Sequence, residues 1–564
     1  MKRRNFIKRL SQASATPFML GGLPVGLLAN NQQLARMANE NNDNVLVILQ
    51  MHGGNDGLNM VIPINQYDNY YNLRPNIAIP ASDNNRKYIE LDNTMSDEKK
   101  VGLHPDMLGV KDLYDRGRVG IVHGVSYENA NGSHFRGRDV FFMGGGYEDT
   151  YRSGWMGRFL DKEYPAYPDG DASIPVLPYD GQNEMQDPPG LEIGRDVSLL
   201  FRRDDSFPLS LSVRSPLAFH ALIESIEQQN IANFPNSNYG EELKYIMDMD
   251  EQSHVYGVRL KEVYDKGGDT TVTYPENYPF ASSRGLNNPL SGQFKLIARL
   301  LRGGIKSRFF LVRIGGFDTH ANQVESYDPT FGHHAALMYH ISSAVQAFQE
   351  DLRNSGTEDK VMTITMSEFG RRAVSNGSFG TDHGDAWPLM AFGKWVNPGV
   401  FGSNPDLGNI RGGNLSMQVD YRQVLTSVMQ NWMGATPENV AEVFKLDTPE
   451  KKTAFLDNQI PIVNNNFVTS TREDFFNDRF RLNNSFPNPA KDETIISFYI
   501  NNSEKVKLRL YNPEGKMVKI IFDGFLPYGE HDVKFNVRGL APGLYVYRLE
   551  SGKFTASRKL TIVS

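Results

Sequence analysis

At 564 residues the chain has room for one large domain and a smaller one, and its 40% hydrophobic content fits a globular protein. A net charge of −7 over that length gives no sign of nucleic-acid binding. Cysteine is absent, which removes disulfides, thiolate metal sites and cysteine catalysis together.

The first residues, Lys2-Arg3-Arg4-Asn5-Phe6-Ile7-Lys8, resemble a twin-arginine export signal, with paired arginines, a Phe two places later and a closing Lys. The weakly apolar stretch from Ala13 to Ala29 is interrupted by Gly21, Gly22 and Pro24, so it is too short and broken for a stable transmembrane span. Residues 1–38 are therefore expected to be a removable signal handled by the twin-arginine translocase.

From 44 to 470, strand-like and helix-like segments alternate, which predicts an α/β fold with a doubly wound, mainly parallel sheet. Three apolar runs carry the pattern. Val45 to Gln50 leads into His52-Gly-Gly-Asn-Asp56, and Arg308 to Ile314 leads into Gly315-Gly-Phe-Asp318-Thr-His320. Val361 to Met366 leads into Ser367-Glu368-Phe-Gly370. Short β-branched runs bounded by Gly read as buried parallel strands, whose carboxyl ends face a ligand rim. Asp56, Asp318, His320 and Glu368 would then meet there. Oxygen and imidazole ligands suit a divalent ion: zinc, manganese, magnesium or calcium.

Each candidate also has a plainer reading. Asp56 lies in a Gly-rich turn that is either a loop or a ligand carrier, and His52 is either a ligand or a partner orienting one. Ser133 stands before His134 at a helix start, where an N-cap is the commoner role and a metal-activated nucleophile the sharper one. Arg371 either clamps a phosphate or sulfate oxygen or forms an ion pair within its loop. In Thr381-Asp-His383-Gly-Asp385, His383 is the preferred ligand. His333 and His334 are expected to pack at the start of the helix His333 to Leu352. A second helix, Ser291 to Arg302, precedes the strand from Arg308, and a third runs from Tyr421 to Trp432. The Pro-, Gly- and Asp-rich segment 147–288, with one helix near Gly240 to Lys266, reads as an insertion or cap.

After a linker at 471–484, residues 485–564 show short alternating strands and tight turns, the texture of a small antiparallel β-sandwich. Phe486-Pro-Asn-Pro-Ala490, Leu510-Tyr-Asn-Pro-Glu-Gly515, Leu540-Ala-Pro-Gly-Leu-Tyr545 and Ser557-Arg-Lys-Leu560 resemble a type IX secretion C-terminal sorting domain. That resemblance implies the type IX machinery as a partner and a destination at the cell surface or outside the cell.

His52-Gly-Gly-Asn-Asp56-Gly-Leu-Asn59, Leu103-His-Pro105, Ser133-His-Phe135, Gly316-Phe-Asp-Thr-His320, Ser367-Glu-Phe-Gly-Arg371 and Asp382-His-Gly384 resemble the twin-arginine-exported DUF1501 family. That family in turn looks like a distant branch of the alkaline phosphatase and sulfatase superfamily. The resemblance implies Ser133 as nucleophile; His134 beside it either orients the site or is a simple surface His, and Arg371 is the further catalytic candidate. Asp318, His320 and His383 would hold one ion, and Asp56 with Glu368 a second. The implied activity is hydrolysis of phosphate or sulfate esters on a small molecule or glycan. Phe369 stands where the superfamily has a ligand His, so one site would be short of a donor. The competing expectation is a noncatalytic cell-surface binding protein with at most a structural metal.

Overall fold

In the computed structural model, the described residues are 43–82, 86–163, 187–194, 196–225, 238–280, 287–464 and most of 480–563, with the pairs 19–20 and 23–24. The twin-arginine motif at Lys2 to Lys8 and the 471–479 part of the expected linker lie outside them. The chain forms two units, 1–464 and 465–564.

The large unit is built on a nine-stranded sheet. Its strands are β1 (Val45–Met51), β2 (Val119–Ser126), β3 (Gly190–Ile193), β4 (Ser210–Val213), β5 (Phe309–Ile314) and β6 (Val361–Ser367). A two-stranded hairpin, β7 (Gly370–Ser375) and β8 (Thr381–Gly384), stands apart from it. The sheet is completed by β9 (Trp387–Phe392), β10 (Gly399–Phe401) and β11 (Val419–Asp420). The order is β10-β2-β9-β6-β1-β5-β3-β4, with β11 also on β2. Every pairing is parallel except the two made by β9. The expected mainly parallel α/β sheet is present.

All seven residues of β1 and of β6 are buried, as central parallel strands covered on both faces must be. The helices are α1 (Leu108–Asp115), α2 (His134–Met143), α3 (Asn238–Gly267), α4 (Pro289–Gly303), α5 (His333–Asn354) and α6 (Tyr421–Ser427); α4 packs on β5, α1 on β2 and α6 on β11, while α5 lies against α1 and α4, and α3 against α4. Helix α4 is punctuated as its sequence prescribes. The Asn288 side chain accepts from Leu290 N–H, Pro289 opens the first turn, and Gly304 takes the left-handed cap at φ 89°. Phe294 of α4 stacks on Phe348 of α5 with ring centroids 4.7 Å apart.

The segment 147–288 corrects one expectation. Rather than only capping the rim, its described residues supply β3 and β4, which extend the sheet edge, as well as α3. Its turn-rich composition hid two strands of four residues each.

Register decides where the site falls. Met51 of β1 pairs with Ile314 of β5 and with Ser367 of β6, so three neighbouring strands end on one line. His52, Gly315 and Glu368 each stand one residue past it. Because β9 runs the other way, its first residue Trp387 lies at the end of β2, opposite Val125. The residues just before β9 and just after β2 therefore reach the same rim.

The second unit has two antiparallel sheets. One joins Phe480–Leu482, Glu493–Ile500 and Gly529–Asn536; the other joins Met517–Leu526, Glu504–Tyr511, Gly543–Ser551 and Phe554–Ile562. Leu482, Phe498, Leu508, Tyr547 and Leu560 belong to one shared core. This is the expected antiparallel arrangement.

His123 on β2 offers a test of the packing. It is buried, its Nε2 has no hydrogen-bond partner among the described residues, and burial pulls its pKa from the usual 6.5 to about 4. The folded state thus resists a proton that the unfolded chain accepts. Above pH 6.5 the residue contributes no penalty; as pH falls toward 4 the penalty grows to about 2–3 kcal/mol, then levels off. Urea midpoints measured from pH 7.5 to 4 should fall less steeply for His123→Leu than for wild type.

Candidate metal centre

Left-handed glycines let the loops after β1 and β5 touch. Gly53 has φ 121°, and a Cβ there would stand 2.4 Å from the backbone nitrogen of Asp318. Gly54, at φ 80°, leaves room for the Phe369 ring, which a Cβ would meet at 2.3 Å. The turns expose backbone carbonyls toward the interior, and one side chain satisfies them. The buried Arg371 guanidinium donates to Gly53 O (2.5 Å), Gly54 O (2.9 Å), Phe317 O (3.0 Å) and Thr381 O (3.0 Å). Its Nη2 also donates to Asp318 Oδ1 at 2.6 Å. Arg371 was expected to clamp a substrate anion; the structure places it under the rim, holding the loops that form it.

Above Arg371, imidazoles gather around Asp318. His383, the cross-strand partner of Arg371 in the β7–β8 hairpin, has Nε2 3.1 Å from Asp318 Oδ1. His320 Nε2 is 3.2 Å from the same oxygen and 2.9 Å from His383 Nε2. His134, the first residue of α2, has Nε2 3.5 Å from Asp318 Oδ2. His134, Asp318 and His383 bring one ligand atom each to within 4.8 Å of one another. Asp318 and His320 are about half exposed, so the cluster is open to solvent.

The far nitrogens of these rings are all occupied. His383 Nδ1 lies 2.6 Å from Gly132 O, His134 Nδ1 lies 2.7 Å from Glu368 Oε2, and His320 Nδ1 lies 3.4 Å from Asp382 Oδ1. A carbonyl or carboxylate oxygen only accepts, so the proton of each neutral ring belongs on Nδ1 and its lone pair on Nε2. Three lone pairs then converge on a carboxylate, two of them 2.9 Å apart. Lone pairs at that distance repel unless positive charge sits with them. This is the arrangement of metal-binding histidines oriented by second carbonyl or carboxylate partners.

Electrostatics agree with that use. Burial alone would raise the Asp318 pKa, but its neighbours, led by the hydrogen bond from the Arg371 guanidinium, outweigh it and bring it down to about 2. Burial lowers the pKa of His383, keeping the ring neutral near pH 7. Glu368 is fully buried; burial would raise its pKa, but its contacts with His52 and His134 carry it below the usual value.

The expected ligands are not all gathered. Asp318, His320 and His383 meet, joined by His134, which was expected beside the nucleophile. Asp56 is buried elsewhere: both of its oxygens lie 2.7 Å from Arg74 Nη1, and Gln323 Nε2 donates to Oδ2 at 2.6 Å. It shares no hydrogen bond or ion pair with Glu368. Nothing in the Gly-rich turn announces Arg74, which arrives from a separate helix ending at Leu73. Glu368 accepts from Gly53 N–H at 3.2 Å besides His134, and His52 Nδ1 lies against its Oε1. Ser133 is the N-cap of α2, its Oγ accepting from Arg136 N–H at 3.5 Å. His333 and His334 open α5, bonding Gly316 O (2.8 Å) and Asn55 Oδ1 (3.3 Å). Sequence reading placed Asp382 in the rim loop without giving it a role, and it missed Gln323 and the part played by Phe369. The Phe369 ring packs 5.0 Å from His134 and 4.5 Å from His383, centroid to centroid. It holds two imidazoles in place without being a ligand.

Residues 243–444 match the family model described as "Protein of unknown function (DUF1501)", a match that takes in Asp318, His320, Glu368 and His383. Residues 484–563 are a secretion system C-terminal sorting domain, which implies the type IX machinery and export to the cell surface or the extracellular space. No curated protein matches the sequence. Among solved structures, the chain is similar to Ps i-CgsB in complex with k-i-k-neocarrahexaose. The identity is 12%, covering 82% of this chain and 83% of that one at TM-score 0.34. The alkaline phosphatase from the Antarctic bacterium TAB5 is 11% identical, with 72% and 99% coverage and TM-score 0.26. The PsFucS1 sulfatase from Pseudoalteromonas sp. is 11% identical, with 90% and 87% coverage and TM-score 0.28. At such identities and scores, no residue role in this chain follows from them. Among the described residues no helix is long and apolar enough to cross a membrane.

The position of Asp56 yields a discriminating experiment. Asp56→Asn leaves the buried Arg74 charge unpaired and should cost about 3–5 kcal/mol in urea unfolding, with the protein's metal content unchanged. Asp318→Asn, at a half-exposed position, should do the reverse: a small stability change and loss of metal by elemental analysis.

Proposed function

We propose that the large unit is an exported, metal-dependent hydrolase of phosphate or sulfate esters. In this reading His134, Asp318, His320 and His383 hold one divalent ion. The observation that carries it is the convergence of three imidazole Nε2 atoms on the Asp318 carboxylate, each ring's Nδ1 being occupied by an acceptor. Three nitrogens and one carboxylate on a solvent-open rim form a donor set suited to zinc or manganese, better than to calcium or magnesium. When bound, such an ion supplies Lewis acidity toward a phosphoryl or sulfuryl oxygen and eases ionisation of a nearby hydroxyl.

Ser133 is the candidate nucleophile. It precedes His134 in the chain and follows Gly132, whose carbonyl His383 contacts, and it is exposed at the start of the ten-residue α2. The N-terminal end of that helix favours an anionic group. The Ser133 oxygen attacks phosphorus or sulfur, the ester bond to the leaving alcohol breaks, and water then hydrolyses the covalent serine ester. Arg371 and Asp56 act beneath the site through the loops they hold. The sorting domain gives such an enzyme extracellular esters to act on.

The test is metal analysis of the purified full chain followed by assays on aryl phosphate and aryl sulfate esters. The expected result is about one zinc or manganese per chain and turnover that falls at least ~10²-fold in Ser133→Ala. His383→Ala should lose both metal and turnover. A chain free of metal, with no Ser133-dependent hydrolysis, would leave the noncatalytic surface protein as the surviving account.

A further inference from the structure

Glu368 stands apart from the other carboxylates of the rim. It is fully buried at the end of β6, and its two oxygens meet different groups. Oε2 accepts from Gly53 N–H at 3.2 Å and faces His134 Nδ1 at 2.7 Å. Oε1 has His52 Nδ1 as its neighbour and no hydrogen bond of ordinary length. The two rings stand 6.2 Å apart, centroid to centroid. One carboxylate thus serves two imidazoles through the same ring nitrogen.

We propose that Glu368 is a positioning residue, rather than a metal ligand, which fixes His134 and His52 together in the tautomer that leaves Nε2 unprotonated. A carboxylate accepts at both oxygens, so it takes an Nδ1–H from each ring. No neutral side chain of the same shape can do this. His134 then turns its lone pair toward Asp318. His52, half exposed and with no hydrogen bond at Nε2 among the described residues, presents a second lone pair at the edge of the same rim. The rim therefore carries four similarly oriented imidazoles, of which His52 is the one outside the cluster around Asp318.

The amide of Glu368→Gln separates the two tasks. Gly53 N–H is a fixed donor, so the amide oxygen must take the Oε2 position and remains an acceptor for His134. The amide NH2 then faces His52 Nδ1, which can only receive it as a lone pair. The His52 proton moves to Nε2, while His134 is unchanged. Removing the carboxylate altogether, in Glu368→Ala, frees both rings.

The experiment uses the full chain with ¹⁵N-labelled histidine, at a pH where the imidazoles are neutral and without added metal. Spectra of His52→Ala and His134→Ala assign the two rings. The expected result is Nδ1–H for both rings in wild type, and a switch to Nε2–H for His52 alone in Glu368→Gln. Zinc titration forms the second arm: Glu368→Gln should bind within about 3-fold of wild type, whereas Glu368→Ala should bind about 10–100-fold more weakly. Thermal melts confirm that each variant is folded, and His52→Ala, which leaves Glu368 intact, should keep wild-type zinc affinity. Nε2–H on His134 in wild type, or zinc binding by Glu368→Gln as weak as by Glu368→Ala, would overturn the proposal in favour of direct ligation. The tautomer arm needs no cation, so it stands even if the metal reading fails.

Discussion

The buried guanidinium of Arg371 holds the rim together. Loops from β1, β5 and the β7–β8 hairpin are remote in sequence, and each brings a carbonyl that the sheet cannot satisfy. Arg371 donates to all of them and to Asp318. A planar, permanently charged fork can do this where a lysine cannot, because the acceptors lie in several fixed directions. Once the loops are pinned, Asp318 is held on the open side of the same guanidinium, and the hairpin register puts His383 across from Arg371. The imidazole cluster follows from that geometry.

Two carboxylates separated by little in the fold do opposite work because their surroundings differ. Asp56 is enclosed and closes a buried ion pair with Arg74 below the loops. Asp318 is half exposed and keeps only one oxygen near Arg371, leaving the carboxylate surrounded by imidazoles. Burial and partner thus divide an enclosed, ion-paired acid from one open to solvent. Phe369 shows the same economy: its ring packs the two neighbouring histidines without being a ligand.

Much of this was legible in the residues. The apolar runs at Val45, Arg308 and Val361 mark central strands, and their shared polarity brings Asp318, His320 and Glu368 to one edge. The sorting domain was legible from its turn motifs. What the sequence conceals is direction at the scale of a side chain. Nothing in Gly53-Gly-Asn-Asp56 says that Asp56 turns inward to a helix that follows it. Arg371 beside Arg372 gives no sign of which is buried. The edge strands β3 and β4 were invisible because four-residue strands in a Pro- and Gly-rich segment carry too little periodicity.

The most direct measurement is anomalous diffraction from crystals of the full chain grown with zinc or manganese. The account predicts one principal peak at about 2.0–2.3 Å from Asp318 and the Nε2 atoms of His134, His320 and His383. A principal peak at Asp56, or none near Asp318 at saturating metal, would contradict it.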